Sequence, residues 1–171
     1  MSVAYIGLGA NAGDPLCQCR QARERIVAWP EVACARSSSF YRSEAHLLPT
    51  QTPDASRQWY VNAVLEIETP LSAPVIFTRL TQIEVDLGRD LSQKGAWLPR
   101  PIDLDLLAYD DLILKTPTLI LPHPRIAERR FVLAPWAELA PQWRHPGYHR
   151  SIQDLLDEVD DDKVTGKLCF F

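Results

Sequence analysis

Between Val3 and Tyr109 the hydrophobic period switches between strand and helix in the order β-α-β-β-α-β, and few folds accommodate that order. Residues 3–9 are a short apolar run with Gly7 and Gly9 at its end, which reads as a buried strand. In the turn Asn11-Ala12-Gly13-Asp14-Pro15, Asp14 suits an N-cap and Pro15 the first helical position. The helix that follows reaches Ala28, with Ala22, Ile26 and Val27 on its apolar side, before Pro30 stops it. Residues 32–42 suit a strand around Ser37-Ser38-Ser39-Phe40-Tyr41, and residues 44–57 read as a loop. Residues 59–69 alternate, with Val61, Ala63, Leu65 and Ile67 on one face and Tyr60, Asn62, Glu66 and Glu68 on the other. Ser72 opens a second helix in which Ile76, Leu80, Ile83 and Leu87 recur at helical spacing until Gly88 ends it. A polar loop (89–101) then leads into a last strand (102–109). This order predicts a ferredoxin-like α+β core: a four-stranded antiparallel sheet with two helices on one face, the other face being free of helices. From Leu112 onward short pieces follow as a C-terminal extension, with an extended run at 119–121 and helices near 132–139 and 152–159.

A chain of 171 residues is the size of one domain, so residues 1–171 are expected to form a single unit with an acidic tail over about 154–171. The net charge of −4 argues against a nucleic-acid partner. Six of the 22 acids lie in residues 154–162, a cluster that reads as a solvated helix end and tail. Without them the body is nearly neutral, and it can hold a local basic pocket for a small anion. A ferredoxin-like RNA-binding sheet is a competing reading, which fails on charge and on the absence of an aromatic-rich basic strand. The longest apolar runs fall far short of the roughly 18 residues of a membrane span. Met1-Ser2-Val3-Ala4-Tyr5 has no charged leader before an apolar stretch, so no secretory signal is expected. The expectation is a cytoplasmic monomer with no membrane partner. Cys17, Cys19, Cys34 and Cys169 lack zinc-site spacing and are expected to be free thiols.

The stretch richest in chemistry is Arg100-Pro101-Ile102-Asp103-Leu104-Asp105-Leu106. On a strand Asp103 and Asp105 share one face, where two carboxylates repel unless a cation lies between them. Hard carboxylate oxygens suit Mg²⁺ completed by phosphates and water, although a D-x-D pair also fits two solvated side chains. Arg100 ends a loop that also carries Arg89, Lys94 and Trp97, which is what phosphoryl transfer requires of a cationic closing segment. Pro122-His123-Pro124-Arg125 and Arg129-Arg130-Phe131 add further cations and an aromatic. Tyr60 and Phe131 suit either the core or the face of a planar ring, and Asn62 can present its amide to such a ring.

Together Leu87-Gly88-Arg89, Trp97, Pro99-Arg100-Pro101-Ile102-Asp103-Leu104-Asp105, Leu121-Pro122-His123-Pro124-Arg125 and Arg129-Arg130-Phe131 resemble the motifs of the 6-hydroxymethyl-7,8-dihydropterin pyrophosphokinase family. Gly9-Ala10-Asn11, Ser39-Phe40-Tyr41-Arg42 and Tyr60-Val61-Asn62-Ala63 fit the same family, collinearly from Val3 to about Pro141. The resemblance implies a ferredoxin-like transferase of folate biosynthesis that moves pyrophosphate from ATP to the pterin hydroxymethyl group and releases AMP. It implies that Asp103 and Asp105 hold two Mg²⁺ ions and that Arg89 and Arg100 bind phosphate oxygens and the charge developing at phosphorus. It implies Ser43, Tyr60, Asn62 and Phe131 as pterin contacts, and Glu84, Arg89, Trp97, Arg100, His123 and Arg129 on the ATP side. The chain departs from the family pattern at Leu98, where a glycine is usual, at Leu91 and Ala96, and in Ser43-Glu44-Ala45-His46. A divergent relative that binds pterin or nucleotide with little turnover is the alternative these departures raise.

Overall fold

The computed structural model describes residues 1–44, 59–90, 100–160 and 165–168. Its centre is an antiparallel sheet built of β1 (Ser2–Ala10), β2 (Cys34–Ser37), β3 (Tyr41–Glu44), β4 (Trp59–Thr69) and β5 (Asp103–Tyr109). The strands run in the order β5-β1-β4-β3, and β2 pairs with the half of β4 that β3 leaves free. Helices α1 (Pro15–Val27) and α2 (Ala73–Asp86) connect β1 to β2 and β4 to β5. This is the ferredoxin-like order expected from the periodicity.

The helix ends follow their local chemistry. Asp14 accepts a hydrogen bond from the Cys17 N–H at 3.0 Å and Pro15 opens α1. Gly88, at φ 93°, follows α2 in a conformation that side chains resist. Both helices bury one face against the sheet: Cys19, Ala22 and Ile26 from α1, and Ile76, Leu80 and Ile83 from α2, meet Ile6, Leu8, Leu65, Ile67, Leu104 and Leu106. Cys17 and Cys34 are exposed and Cys19 buried, all three as free thiols; Cys169 lies outside the described residues.

The structure corrects two local expectations. The single strand over 32–42 is two strands, because the Ser38 hydroxyl takes the Val64 N–H at 2.9 Å and replaces a ladder bond at the break. The second face of the sheet is not helix-free. Tyr5, Val64 and Leu107 form an apolar patch there, and α3 (Arg130–Leu139) and α4 (Ile152–Glu158) cover it with Val132, Leu133, Trp136, Ile152 and Leu155. A 3₁₀ turn (Ile126–Glu128) precedes α3, and a short hairpin, β6 (Leu114–Lys115) with β7 (Ile120–Leu121), precedes that turn. The acidic tail is partly built into the fold. Asp154 closes a capping box with Ser151 at the start of α4, and β8 (Thr165–Lys167) adds an edge strand beside β3. Among the described residues no helix is long and apolar enough to cross a membrane.

Candidate active site

The register of the sheet gathers the polar side chains onto the face that carries α3. One cross-strand row runs Lys167–Tyr41–Asn62–Gly9–Asp103, and the next brings Asp105 opposite Gly7 and Gly7 opposite Val64. The carboxylates on β5 therefore face two glycines on β1. A Cβ at Gly9 would stand 3.3 Å from the Asn62 side-chain oxygen, so the missing side chain keeps the floor open between Asp103 and Asn62. The result is a cleft of about 290 Å³ whose lining includes Gly9, Tyr60, Asn62, Asp103, Asp105 and Phe131.

Two residues apart on an extended strand, Asp103 and Asp105 are separated by about 7 Å, where two charges at an effective dielectric of about 20 repel by about 2 kcal/mol. Cationic side chains offset that repulsion. Asp103 accepts from Arg89 and, through its second oxygen, from Arg100 at 3.0 Å. Asp105 accepts from Arg129 at 3.2 Å, and His123 Nε2 lies 3.8 Å from the same oxygen. Burial pushes the His123 imidazole below its ordinary value, and the nearby Asp105 only partly opposes this. His123 reaches the site because its N–H bonds the Leu107 carbonyl at 2.8 Å, laying this segment along the edge of β5.

Glu84 supports the site from below. It is buried on the sheet side of α2, accepts from the Leu104 N–H at 2.7 Å and holds the Arg89 guanidinium that also reaches Asp103. Burial pushes its carboxyl up to about 7, against the Leu104 N–H and Arg89, while Asp103 and Asp105 add to the rise. Arg89 is drawn the other way: burial disfavours its charge, but Asp103 and Glu84 outweigh that and raise its affinity for the proton. The guanidinium, with its ordinary value far above neutral, is the fixed charge of this group and Glu84 the adaptable one. Replacing Glu84 with alanine leaves the Leu104 N–H unpaired and is expected to cost about 2–3 kcal/mol, read as a shift in the urea midpoint.

At the other end of the cleft Asn62 donates to the Ser43 hydroxyl at 2.7 Å, with both residues buried. Tyr60 and Phe131 line the walls beside them. Of the residues expected at the site, Arg89, Arg100, Asp103, Asp105, His123, Arg129, Ser43, Tyr60, Asn62 and Phe131 thus converge on one region. Glu84 lies beneath it rather than on its lining, because its carboxylate turns inward to Leu104 and Arg89. Trp97 lies outside the described residues, as do Leu91, Lys94, Ala96, Leu98, Ala45 and His46.

Periodicity passed over Gly7, Gly9 and Asn11. The signal for the glycines is their cost inside a strand, which marks close approach. Asn11 receives the Arg100 N–H at 2.7 Å, and its own N–H bonds the Arg100 carbonyl at 3.2 Å; no local pattern announces a pairing across 89 residues.

The ferredoxin-like sheet thus sets two carboxylates among arginines, beside a pocket of aromatics and an amide. Comparison with known proteins identifies the family. The family profile of 7,8-dihydro-6-hydroxymethylpterin-pyrophosphokinase matches residues 5–141, and the chain belongs to that family. A 2-amino-4-hydroxy-6-hydroxymethyldihydropteridine pyrophosphokinase of Synechocystis sp. is 37% identical over 92% of this chain and 76% of its own. Its namesake from Methylorubrum extorquens is 37% identical over 96% of this chain and 98% of its own. Among solved structures, an HPPK-DHPS in complex with substrates superposes with a TM-score of 0.67 over 92% of this chain at 10% identity, and Plasmodium falciparum HPPK-DHPS with a TM-score of 0.66 at 11%. This chain spans 45% of each of those chains, and the likeness supports the fold.

Proposed function

We propose that in this cleft the enzyme transfers pyrophosphate from ATP to the hydroxymethyl group of 6-hydroxymethyl-7,8-dihydropterin, releasing AMP, as a step of folate biosynthesis. The observation that carries the reading is the shared sheet face, which sets the Asp103–Asp105 pair one open strand away from Asn62. The relatives compared bear the enzyme's name, which leaves a binder with little turnover without support.

The pterin ring lies between Tyr60 and Phe131. Asn62 commits one amide hydrogen to Ser43, which fixes the plane of the amide and leaves its carbonyl oxygen for the ring's N–H groups. ATP lies along β5, where Arg129 and His123 flank Asp105 and where Arg89 and Arg100 turn from Asp103 to phosphate oxygens. Trp97 acts from the ATP side. Glu84 keeps Arg89 at the level of the phosphates.

The donor set fits Mg²⁺: two hard carboxylates on one face, with cations in attendance that can exchange onto phosphate. Among the described residues no group of three or more acidic, histidine or cysteine side chains is placed to hold a metal by itself, so the remaining ligands come from phosphate and water. Asp103 and Asp105 would hold two ions, which supply charge neutralisation at the phosphates and lower the pKa of the attacking hydroxyl. Residues 5–141, which the family profile matches, carry this activity as one unit, acting as a monomer in the cytoplasm.

Incubation with ATP, Mg²⁺ and the hydroxymethyl pterin should yield AMP in step with pterin diphosphate. Formation of ADP, or no pterin-dependent AMP, overturns the assignment. The pterin wall has its own test. Asn62→Ala is expected to weaken pterin binding by about 1–3 kcal/mol while MgATP binding holds, as measured by calorimetry. Unchanged pterin affinity would mean that the ring binds elsewhere.

A further inference from the structure

Helix α3 carries Phe131 near its start and Glu138 seven positions on, two turns along the same side. The Glu138 carboxylate collects four donors. Ser39 gives its N–H at 3.1 Å and its hydroxyl at 2.9 Å, the Tyr41 hydroxyl lies at 3.0 Å, and the Lys167 ammonium at 3.0 Å. Lys167 belongs to β8, beyond residues 5–141 of the family match. That strand pairs with Tyr41, Arg42 and Ser43, and the Leu168 N–H bonds the Phe40 carbonyl at 2.8 Å. Lys167 and Asn62 flank Tyr41 in one cross-strand row, and Asn62 bonds Ser43 two residues further along β3. One carboxylate therefore ties the helix bearing Phe131 to the strand bearing Ser43.

We propose that Glu138 and Lys167 are positioning residues for the pterin: they lock α3 to β3 and so set the gap between Phe131 and the Ser43–Asn62 pair. The proposal rests on the reading that this end of the cleft takes the pterin. An aromatic wall and a hydrogen-bonding wall grip a planar ring only at one spacing, and contacts to an ionised group are the stronger kind of tie. The tail strand thereby acts on the pterin rather than the nucleotide, since β5 lies across the sheet and its Asp105 holds Arg129, at the start of α3, independently of the Glu138 tie.

The test compares Glu138→Ala, Tyr41→Phe, Lys167→Ala and Lys167→Arg with the parent chain. The probes are 6-hydroxymethylpterin and a non-hydrolysable ATP analogue with Mg²⁺, alongside KM for each substrate. The first three variants should lose about fivefold in pterin affinity, the worth of one net hydrogen bond, and raise the pterin KM alone. Lys167→Arg should restore the parent value. Tyr41→Phe and the exposed Lys167 variants keep the test informative should Glu138→Ala not fold. Equal losses for both ligands, or parent-like pterin affinity in all variants, overturn the proposal. A parent chain that binds the ATP analogue but no pterin overturns instead the reading of the site on which it rests.

Discussion

Replacing Asp105 with asparagine is expected to lower the rate of AMP formation about 10³-fold, the loss typical of removing a preorganised electrostatic contact to the reacting centre. Asparagine preserves the shape and one acceptor, so the change removes charge and little else. Arg129, which faces that charge, loses its counter-ion and, with His123 beside it, draws the phosphates in a different register. Pterin affinity should fall much less, because Asn62 and Ser43 bond each other away from Asp105, which reaches the ring's walls only through Arg129, whose guanidinium lies 5.8 Å from the centre of the Phe131 ring. Folding should change little. Asp105 is one-third exposed, so its ion pair contributes at most about 1 kcal/mol, and relief of the repulsion from Asp103 offsets part of that. Single-turnover measurement of AMP release decides the matter. Near-normal turnover would remove the carboxylate pair from the chemistry.

The part of this site legible from sequence is the part built on period. Alternation over β4 sets Tyr60 and Asn62 on one face, and the two-residue spacing on β5 sets Asp103 and Asp105 together, which the register confirms. The helices on the second face leave little trace in the strand pattern for a physical reason. Val64 is a single apolar residue in the same pleat as Tyr60, Asn62 and Glu66, and one such residue does not show that a layer will cover it. The covering helix α3 carries Pro135 within ten residues, which blurs its own pattern. Glu84 was within reach: it lies four residues after Leu80 on the buried stripe of α2, where an unpaired charge would be costly. The Asn11 clamp and the bonds of Glu138 to Ser39 and Tyr41 are not, because they join residues 89, 99 and 97 positions apart and leave no periodic trace.

The second large effect is expected at Arg100. Its backbone is held on both sides by Asn11, at 2.7 and 3.2 Å, and its guanidinium reaches Asp103 at 3.0 Å. With its backbone fixed there, a guanidinium that has turned from Asp103 to the bound phosphates needs little further reorganisation when negative charge builds, and cations of this kind contribute about 10³-fold or more to phosphoryl transfer. Arg100→Ala should therefore lower kcat about 10³-fold while ATP affinity falls much less, since the contact strengthens as charge develops. Arg100→Lys should recover part of the rate, because lysine restores the charge but not the planar fork that engages two oxygens at once. Asn11→Ala should show a weaker form of the same defect: it leaves the guanidinium present but removes the side-chain half of the two bonds that hold its backbone. The split between kcat and ATP KM is the deciding measurement. If Arg100→Ala raised KM for ATP with kcat intact, the residue would bind ground-state nucleotide only, and the burden of stabilising the transferred group would fall to Arg89, which Glu84 holds from beneath.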